Sequence, residues 1–461
     1  MSFRNYLFLL FMAVALGAVA KSPKYIFYYI GDGMGMGPVM AAQNYNRTVR
    51  GNDKPLNMMQ FPVVGWSQTW SANADITDSA AAGTALATGF KTKNSMLGMD
   101  ADTVAVESLA KTLHDMGYGV AIATSVAPDD ATPGAFYTHV PNRGMLYEIG
   151  RDMASCGYEF VAGAGLRGTT TDGKPNDLLD SFAAEGVQIV RGPKEIEKIA
   201  SRRVLLLNNE GSSDHNIGYT IDSIEGALTL PLIAETALTQ LERTSPDKFF
   251  MMIEGGNIDH ALHGNDGGAS IKEILNFDQA LGVAFDFYRQ HPDETLIVVT
   301  ADHDTGGMAI VKPRGGKGGL ANIDYQKVSK EEFSNFCKAM LKSRNIFTWD
   351  DMKQYLSENM GFFSRIPVGE ADEAKLKKMF DATFEQRNTA DQQTLYANFN
   401  AFAVEVFDMF NAATGLAFTT TSHSGNVVPV FAIGCGADAL KGFNNNTDIP
   451  AAILRAVGKK K

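Results

Sequence analysis

Acidic and histidine residues in this sequence cluster in short motifs whose side chains are typical metal ligands. The stretch EGGNIDHALH carries Glu254, Asp259 and His263, and the stretch VTADHD carries Asp302 and His303. Asp259 and His263 stand four residues apart, so on a helix they share one face and could hold one ion between them. Asp259 or His263 taken singly is more typical of a solvated turn, but together these residues indicate a metal centre.

A further stretch, DITDSAAAGTALATG at residues 75–89, predicts a helix that begins near a serine. The Ser79 hydroxyl then lies near the helix N-terminus, where unpaired N–H groups and the helix dipole favour negative charge. The same pattern is typical of Thr77 or Ser79 acting only as the N-cap of a packing helix. The neighbouring metal-ligand motifs favour a site for a nucleophile or an anion.

Apolar runs predict the elements that would bring these motifs together. Buried strands are predicted at residues 24–30, 118–125, 202–209, 248–256, 294–304 and 421–434. Helical patterns are predicted at residues 104–116, 147–156, 224–243, 271–289 and 449–457. This alternation predicts an α/β fold whose central, mostly parallel sheet carries helices on both faces. Ligands of such sheets bind at the carboxyl ends of strands, where Asp32, Glu254, Asp302 and His303 fall.

Two segments lie outside this pattern. From residue 329 to about residue 413 the sequence is charged and helix-favouring, which predicts a largely helical insertion that serves as a cap or a dimer contact. No catalytic residue is legible in it. Residues 163–177 are rich in glycine but match no phosphate-binding loop, so a surface loop is predicted there.

The first twenty residues have the pattern of a cleaved secretory signal, with Arg4, an apolar stretch and a small-residue end. We therefore predict an exported protein, periplasmic or extracellular, whose mature chain covers residues 21–461. No later apolar run is long enough to span a membrane. The net charge of −11 argues against nucleic-acid binding. It does not exclude an anionic substrate, because bound metal ions can invert the local field.

The three cysteines indicate no disulfide framework. They form no CxxC pair and their odd number allows at most one bridge, so we predict three buried thiols, Cys156, Cys337 and Cys435.

Six motifs, in order, resemble those of the secreted bacterial alkaline phosphatases. They are IGDGMG, TDSAAAGTA, DATPGAFYTHVPNR, EGGNIDHALH, VTADHD and TSHSG, and they cover about residues 25–311 and 421–434. The resemblance implies that small-molecule phosphate monoesters are hydrolysed through a phosphoserine, with two zinc ions and one magnesium ion per chain. It is also compatible with a homodimer, although no stretch identifies an interface.

The resemblance further implies a role for each site residue. Ser79 is the expected nucleophile, Arg143 the clamp on two phosphate oxygens, and Asp78 the residue that orients Arg143. The expected zinc ligands form two groups of three: Asp259, His263 and His423, and Asp32, Asp302 and His303. The expected magnesium ligands are Asp32, Thr132 and Glu254, with Asp130 supporting the waters bound to that ion. Two zinc ions roughly 4 Å apart would activate Ser79 and neutralise the leaving oxygen.

The combination of Asp130 with His260 mixes two patterns that different branches of this family use. His260 would reach phosphate through a water molecule or play no part. The combination leaves the affinity for the third metal and the pH optimum open, since a histidine titrates near ~6.5.

Three alternatives to a phosphomonoesterase fit the sequence less well. A phosphodiesterase of the same superfamily tends to lack the arginine clamp and the magnesium ligands. A sulfatase needs a C/S-x-P-x-R motif, which Ser79 and the residues after it do not provide. A secreted metal-binding protein without catalysis is the alternative from another class.

Overall fold

A ten-stranded sheet forms the centre of the computed structural model, which describes residues 22–316, 318–343, 346–387 and 391–459. In chain order, strands β1 to β10 are Tyr25–Gly31, Val63–Gln68, Gly119–Thr124, Phe160–Ala162, Gln188–Arg191, Val204–Leu207, Phe249–Glu254, Thr295–Ala301, Val428–Gly434 and Gly442–Asn445. Across the sheet they are ordered β10-β2-β9-β8-β1-β7-β3-β4-β6-β5. The seven strands from β8 to β5 run parallel, whereas β9 is antiparallel to both β8 and β2.

Helices cover both faces of this sheet. In chain order, α1 to α14 are Met36–Thr48, Ser79–Thr88, Leu109–Asp115, Ala131–Gly134, Leu146–Ser155, Leu178–Ala184, Leu230–Thr244, Gly256–His263, Gly267–Gln290, Lys330–Lys342, Trp349–Met360, Glu370–Phe380, Ala401–Thr414 and Asp448–Ala456. The predicted α/β fold is therefore confirmed.

Strand β1 shows why the central strands are apolar at every position. Its alternate residues point to opposite faces, and each face has its own apolar core. Phe27 and Tyr29 belong to the core that α1, α7 and α9 cover. Ile26, Tyr28 and Ile30 belong to the core that α2, α3 and α5 cover. Because both faces are buried, the strand reads as a continuous apolar run.

The segment predicted as a helical insertion contains α10, α11, α12 and most of α13, together with a short hairpin whose strands are Asp391–Gln393 and Asn398–Asn400. The largely helical character is confirmed, whereas the hairpin was not expected. Phe333, Leu356 and Phe402 pack into the same apolar core as α1 and α9. The division of the chain into domains, and the homodimer, stay predictions.

Other sequence expectations meet the structure in part. The predicted signal peptide, residues 1–20, lies outside the described residues. Among the described residues, no helix is both long and apolar enough to cross a membrane. Cys337 is buried, as predicted, but Cys156 and Cys435 are half-buried. The prediction of three buried thiols was wrong for these two because Cys156 directly follows the end of α5 and Cys435 the end of β9, both at the surface.

Candidate active site

The carboxyl ends of three adjacent parallel strands bring the acidic residues together. Asp32 follows β1, Glu254 ends β7, and Asp302 follows β8. The strand registers pair residue 31 with residue 301 and residue 30 with residue 254, so the three ends are level with one another. The prediction that these residues meet at one edge of the sheet is confirmed.

Asp32, Asp302 and His303 form the first group of candidate metal ligands. One ligand atom from each residue lies within 4.8 Å of the others, and all three residues are buried. His303 Nε2 lies 3.0 Å from Asp302 Oδ2 and 3.5 Å from Asp32 Oδ1. This is one of the two groups that the resemblance implied.

The second group lies beside it. His263 Nε2 is 3.3 Å from Asp259 Oδ2 and 3.1 Å from His423 Nε2, so two imidazole nitrogens face each other. Asp259 and His423 also bring ligand atoms within 4.8 Å of His303. The ring of His303 stacks on that of His423 at 3.6 Å between centroids. His303 therefore belongs to the first group and also contacts the second.

The outer ring nitrogens of the three histidines contact main-chain or hydroxyl oxygens. His423 Nδ1 lies 2.8 Å from the Thr77 carbonyl oxygen, and His263 Nδ1 lies 2.6 Å from that of Thr421. His303 Nδ1 lies 3.2 Å from Thr305 Oγ1. Such contacts fix the orientation of metal-binding histidines, because they direct Nε2 inward.

Several buried carboxylate oxygens fit a bound cation. Asp32 Oδ1, Asp259 Oδ2 and Asp302 Oδ2 have no hydrogen-bond partner in the part of the chain that the structure describes. Burial, followed by the charges of Asp302 and Asp259, raises the pKa of Asp32 well above its usual value. Buried carboxylates are ordinarily paired or bound to metal. Carboxylates and imidazoles together are the ligands that zinc prefers.

Glu254, Asp32 and Thr132 supply oxygen ligands only. The Thr124 hydroxyl donates a hydrogen bond to Glu254 Oε2, and burial raises the pKa of Glu254 to about 8. Thr132 lies in the short helix α4 and is buried. A set of oxygen ligands suits magnesium better than zinc.

Ser79 is the first residue of α2 and is buried. Its Oγ lies 3.2 Å from His303 Nε2. The N-cap is Asp78, whose Oδ1 accepts a hydrogen bond from the Ala81 N–H at 2.9 Å. The interpretation of Thr77 or Ser79 as the cap was therefore wrong, and the Ser79 hydroxyl is left to face the metal ligands.

The Arg143 guanidinium lies between two carboxylates. Its Nη2 donates to Asp130 Oδ1 at 2.8 Å, and its Nη1 lies 3.7 Å from Asp78 Oδ2. The other Asp130 oxygen lies 3.3 Å from Nη1 of Arg167. Burial raises the pKa of Asp130, but Arg143 and Arg167 together hold it below its usual value. Asp130 thus contacts Arg143 more closely than Asp78 does. Asp78, which was expected to orient Arg143, also caps α2.

Both Asp130 oxygens contact arginines. The expected role of Asp130 toward the waters of a magnesium ion stays a prediction. His260 is buried, and burial lowers its pKa to about 4. The effect of His260 on the pH optimum stays open, but its pKa lies below the value near ~6.5 of a histidine in solvent.

Two residues at the site carried no signal in the sequence. Arg167 belongs to the glycine-rich stretch predicted as a plain surface loop, yet it pairs with Asp130. Tyr396 belongs to the insertion, and its ring lies 3.9 Å from that of His260. Neither residue stands in a motif of metal-ligand or nucleophile type.

The comparisons with known proteins all lead to one family. The family model described as alkaline phosphatase matches residues 23–156 and 150–458. Alkaline phosphatase 4 of Bacillus subtilis is 27% identical over 434 residues, covering 92% of this chain and 86% of that protein. Alkaline phosphatase 3 of the same organism is 26% identical over 448 residues, covering 94% and 89%. The crystal structure of a cold-active alkaline phosphatase from a psychrophilic Shewanella species is 25% identical, with a TM-score of 0.79 over 94% of this chain and 100% of that one.

Proposed function

The chain belongs to the alkaline phosphatase family and is a phosphatase, and we propose that it hydrolyses phosphate monoesters through a phosphoserine at Ser79. The observation that carries this proposal is the position of Ser79 Oγ, 3.2 Å from His303 Nε2 at the first residue of a buried helix. A serine hydroxyl placed there faces the ligand groups and the positive end of the helix dipole. This is where a phosphate ester would meet its nucleophile.

Arg143 gives the phosphate its second point of attachment. Its planar guanidinium can donate two parallel hydrogen bonds to phosphate oxygens, which a lysine cannot. The guanidinium lies 2.8 Å from the Asp130 carboxylate and 3.7 Å from that of Asp78. Because Asp78 directly precedes Ser79, this contact keeps Arg143 near the nucleophile. A terminal phosphate offers the free oxygens for this clamp, whereas a diester has one fewer.

Membership of the family implies metal cofactors, and the residues present fit them. We assign one zinc ion to Asp259, His263 and His423 and a second to Asp32, Asp302 and His303. We assign magnesium to Asp32, Thr132 and Glu254. When bound, these ions supply charge neutralisation at the phosphate and lower the pKa of an oxygen nucleophile.

Two displacements at phosphorus complete the reaction. In the first, a bond forms between Ser79 Oγ and phosphorus while the ester P–O bond breaks, and the alcohol leaves with the proton that Ser79 loses. In the second, a water oxygen bonds to phosphorus, the bond to Ser79 breaks, and phosphate leaves. Ser79 regains its proton, so the two steps balance. Two in-line displacements give net retention at phosphorus.

The first experiment compares three substrates in parallel: nitrophenyl phosphate, bis-nitrophenyl phosphate and nitrophenyl sulfate. Each is assayed before chelation, after chelation, and after zinc and magnesium are restored. We expect the monoester to be hydrolysed fastest, the activity to be lost on chelation, and zinc with magnesium to restore it. A faster diester rate, or full activity in metal-free protein, would contradict the proposal.

The second experiment isolates Ser79. The Ser79→Ala variant should lose roughly a thousandfold or more in activity while it keeps its metal content, because it lacks only the nucleophile. Wild-type protein mixed with substrate and quenched in acid should carry one added phosphate on Ser79, measured by mass spectrometry. Loss of zinc from the variant would mean that Ser79 is chiefly a ligand.

We also propose that the protein is exported. The support is the sequence of residues 1–20, which has the charge, apolar stretch and small-residue end of a signal peptide. Expression of the full chain, followed by fractionation and N-terminal sequencing, should give an extracytoplasmic protein that begins near Lys21. A cytoplasmic protein that retains Met1 would contradict this proposal.

A further inference from the structure

Tyr396 stands at the tip of the hairpin in the insertion. The strands Asp391–Gln393 and Asn398–Asn400 pair antiparallel, and residues 394–397 form the turn between them. The turn is closed by a hydrogen bond of 2.9 Å from the Thr394 N–H to the Ala397 carbonyl oxygen. Tyr396 is half-buried in this turn, whereas its neighbour Leu395 is 58% exposed. The turn therefore presents one aromatic side chain inward.

Two aromatic rings of the hairpin rest on helix α8. The Tyr396 ring lies 3.9 Å from the His260 ring at an angle of 32°, and 5.3 Å from the His263 ring. One turn further along the helix, Phe399 lies so close to Gly264 that a Cβ there would be 3.1 Å from its ring. The hairpin is therefore docked on the helix that carries the candidate zinc ligands.

The insertion holds the hairpin in this position through α10. The Asn400 N–H donates to Ser334 Oγ at 2.6 Å, and Lys338 Nζ donates to the Asn398 carbonyl oxygen. Lys338 also lies 3.4 Å from the Asp391 carboxylate. With both strands tied to one helix, the position of Tyr396 is fixed by the insertion as a whole.

Tyr396 and Arg143 are close enough to affect each other's pKa. Burial lowers the pKa of Arg143, whereas Tyr396, Asp130 and Asp78 raise it, and the net effect is a rise. Burial also raises the pKa of Tyr396 well above its usual value, against a lowering effect of Arg143. A tyrosine hydroxyl can donate a hydrogen bond, so Tyr396 suits an anionic oxygen bound beside Arg143.

We propose that Tyr396 is a substrate-binding residue, whose hydroxyl donates a hydrogen bond to a phosphoryl oxygen held by Arg143 while its ring closes the site over His260. This inference rests on the proposed function. It assigns to the insertion a direct part in binding the phosphate group, so the insertion does more than cover the sheet.

Tyr396→Phe tests the hydroxyl alone, because the phenylalanine ring can still stack on His260. The matched control is Leu395→Ala, which changes the exposed neighbour in the same turn. For each metal-loaded protein we would measure binding of inorganic phosphate by calorimetry, kcat and KM for nitrophenyl phosphate, and zinc and magnesium content. We expect Tyr396→Phe to weaken phosphate binding and raise KM about tenfold, as for a lost hydrogen bond to a charged group. Metal content and the control should match the wild type.

The inference is overturned if Tyr396→Phe binds phosphate within about twofold of the wild type, since a hydrogen bond to a charged oxygen is worth more than that. It is also overturned if the variant loses metal, because Tyr396 would then only support the ligands. Failure of the proposed function looks different. In that case the wild type does not hydrolyse monoesters. The phosphate titrations still test the Tyr396 hydroxyl, because binding of inorganic phosphate does not require turnover.

Discussion

The edge of the sheet and the insertion both contribute residues to the site, but different interactions hold those residues in place. Asp32, Glu254 and Asp302 stand at strand ends that are level because the strands are hydrogen-bonded to one another. Tyr396 reaches the site from a hairpin that packs on α8 through the rings of Tyr396 and Phe399. The first set is fixed by backbone pairing and the second by packing between elements.

This difference separates two functions within one site. Groups that must share metal ions need positions accurate to a fraction of an ångström, which a rigid sheet provides. A group that contacts the substrate can come from a connecting segment, since such segments vary while the scaffold is kept. We therefore expect changes at the sheet edge to abolish the chemistry and changes in the insertion to alter binding.

Gly33→Ala should have the largest effect, because a side chain at Gly33 would collide with Asp259, a candidate zinc ligand. Its φ of +68° is a region that favours glycine, and its N–H donates to Asp302 Oδ1 at 3.0 Å. A Cβ there would stand 2.6 Å from Asp259 Oδ1 and 2.8 Å from Thr305 Oγ1. We expect the variant to lose metal and nearly all monoesterase activity, measured by metal analysis and steady-state assay.

Gly173→Ala is the matched control for that variant. Gly173 has a similar φ of +73°, but none of the described residues lies within 4 Å of a Cβ placed there. The control carries the same backbone strain without the collision, so its metal content and activity should equal those of the wild type. If both variants lose activity equally, backbone strain rather than the crowding of ligands is responsible, and the comparison of regions fails.

The sheet edge could be predicted from the sequence because its signals are local. Continuous apolar runs identify the central strands, and the residue that follows each run must lie at the carboxyl end. That rule places Asp32, Glu254 and Asp302 without any knowledge of strand order. His423 entered through the motif TSHSG, and the antiparallel strand β9 brings it to the same edge.

The rest of the site could not be predicted because it depends on contacts distant in sequence. Tyr396 is an ordinary tyrosine in a polar segment, and only the docking of the hairpin on α8 brings it to His260. Arg167 stands in a loop whose glycines match no ligand motif. The cap of α2 was assigned to a neighbour of Asp78, since Thr, Asp and Ser all favour that position.

Arg167→Ala should have an intermediate effect, because Arg167 acts on substrate through other residues. It lies 3.3 Å from Asp130 Oδ2, and Asp130 holds Arg143 at 2.8 Å. Removing the outer arginine leaves Asp130 less restrained and the clamp less well oriented. For this partly exposed pair we expect KM and the inhibition constant for phosphate to rise about fivefold, with kcat changed less.

Arg151→Ala provides the comparison for that change. Arg151 is also paired with an aspartate, Asp177, at 3.9 Å, but it lies on the exposed face of α5. It should leave all three kinetic constants unaltered. If Arg167→Ala lowers kcat as strongly as it raises KM, Arg167 belongs with the catalytic groups rather than with those that position the clamp.

Lys330, at the joint between the two regions, should affect stability rather than activity. It begins α10, is almost fully buried, and donates from Nζ to the Gly264 carbonyl oxygen at 2.8 Å. Its Nζ also lies 4.9 Å from the centre of the Phe399 ring, beneath the hairpin. Burial lowers the pKa of Lys330 to about 8 from the ordinary value of 10.5, against the raising effect of Asp408 and Asp266. Burial between the sheet edge and the insertion therefore disfavours the charged form of the Lys330 ammonium group.

The sign of the pH dependence follows from where the proton is bound. Between about pH 8 and pH 10.5 the unfolded chain keeps the Lys330 proton and the folded chain releases it, so this group makes the fold more stable as pH rises. Lys330→Met removes that contribution. In urea unfolding of the metal-loaded proteins, the free energy of unfolding of the wild type should rise relative to the variant across this window, by at most about 3 kcal/mol. Parallel curves would mean that Lys330 stays charged in the fold, and that the joint between sheet edge and insertion is open to water.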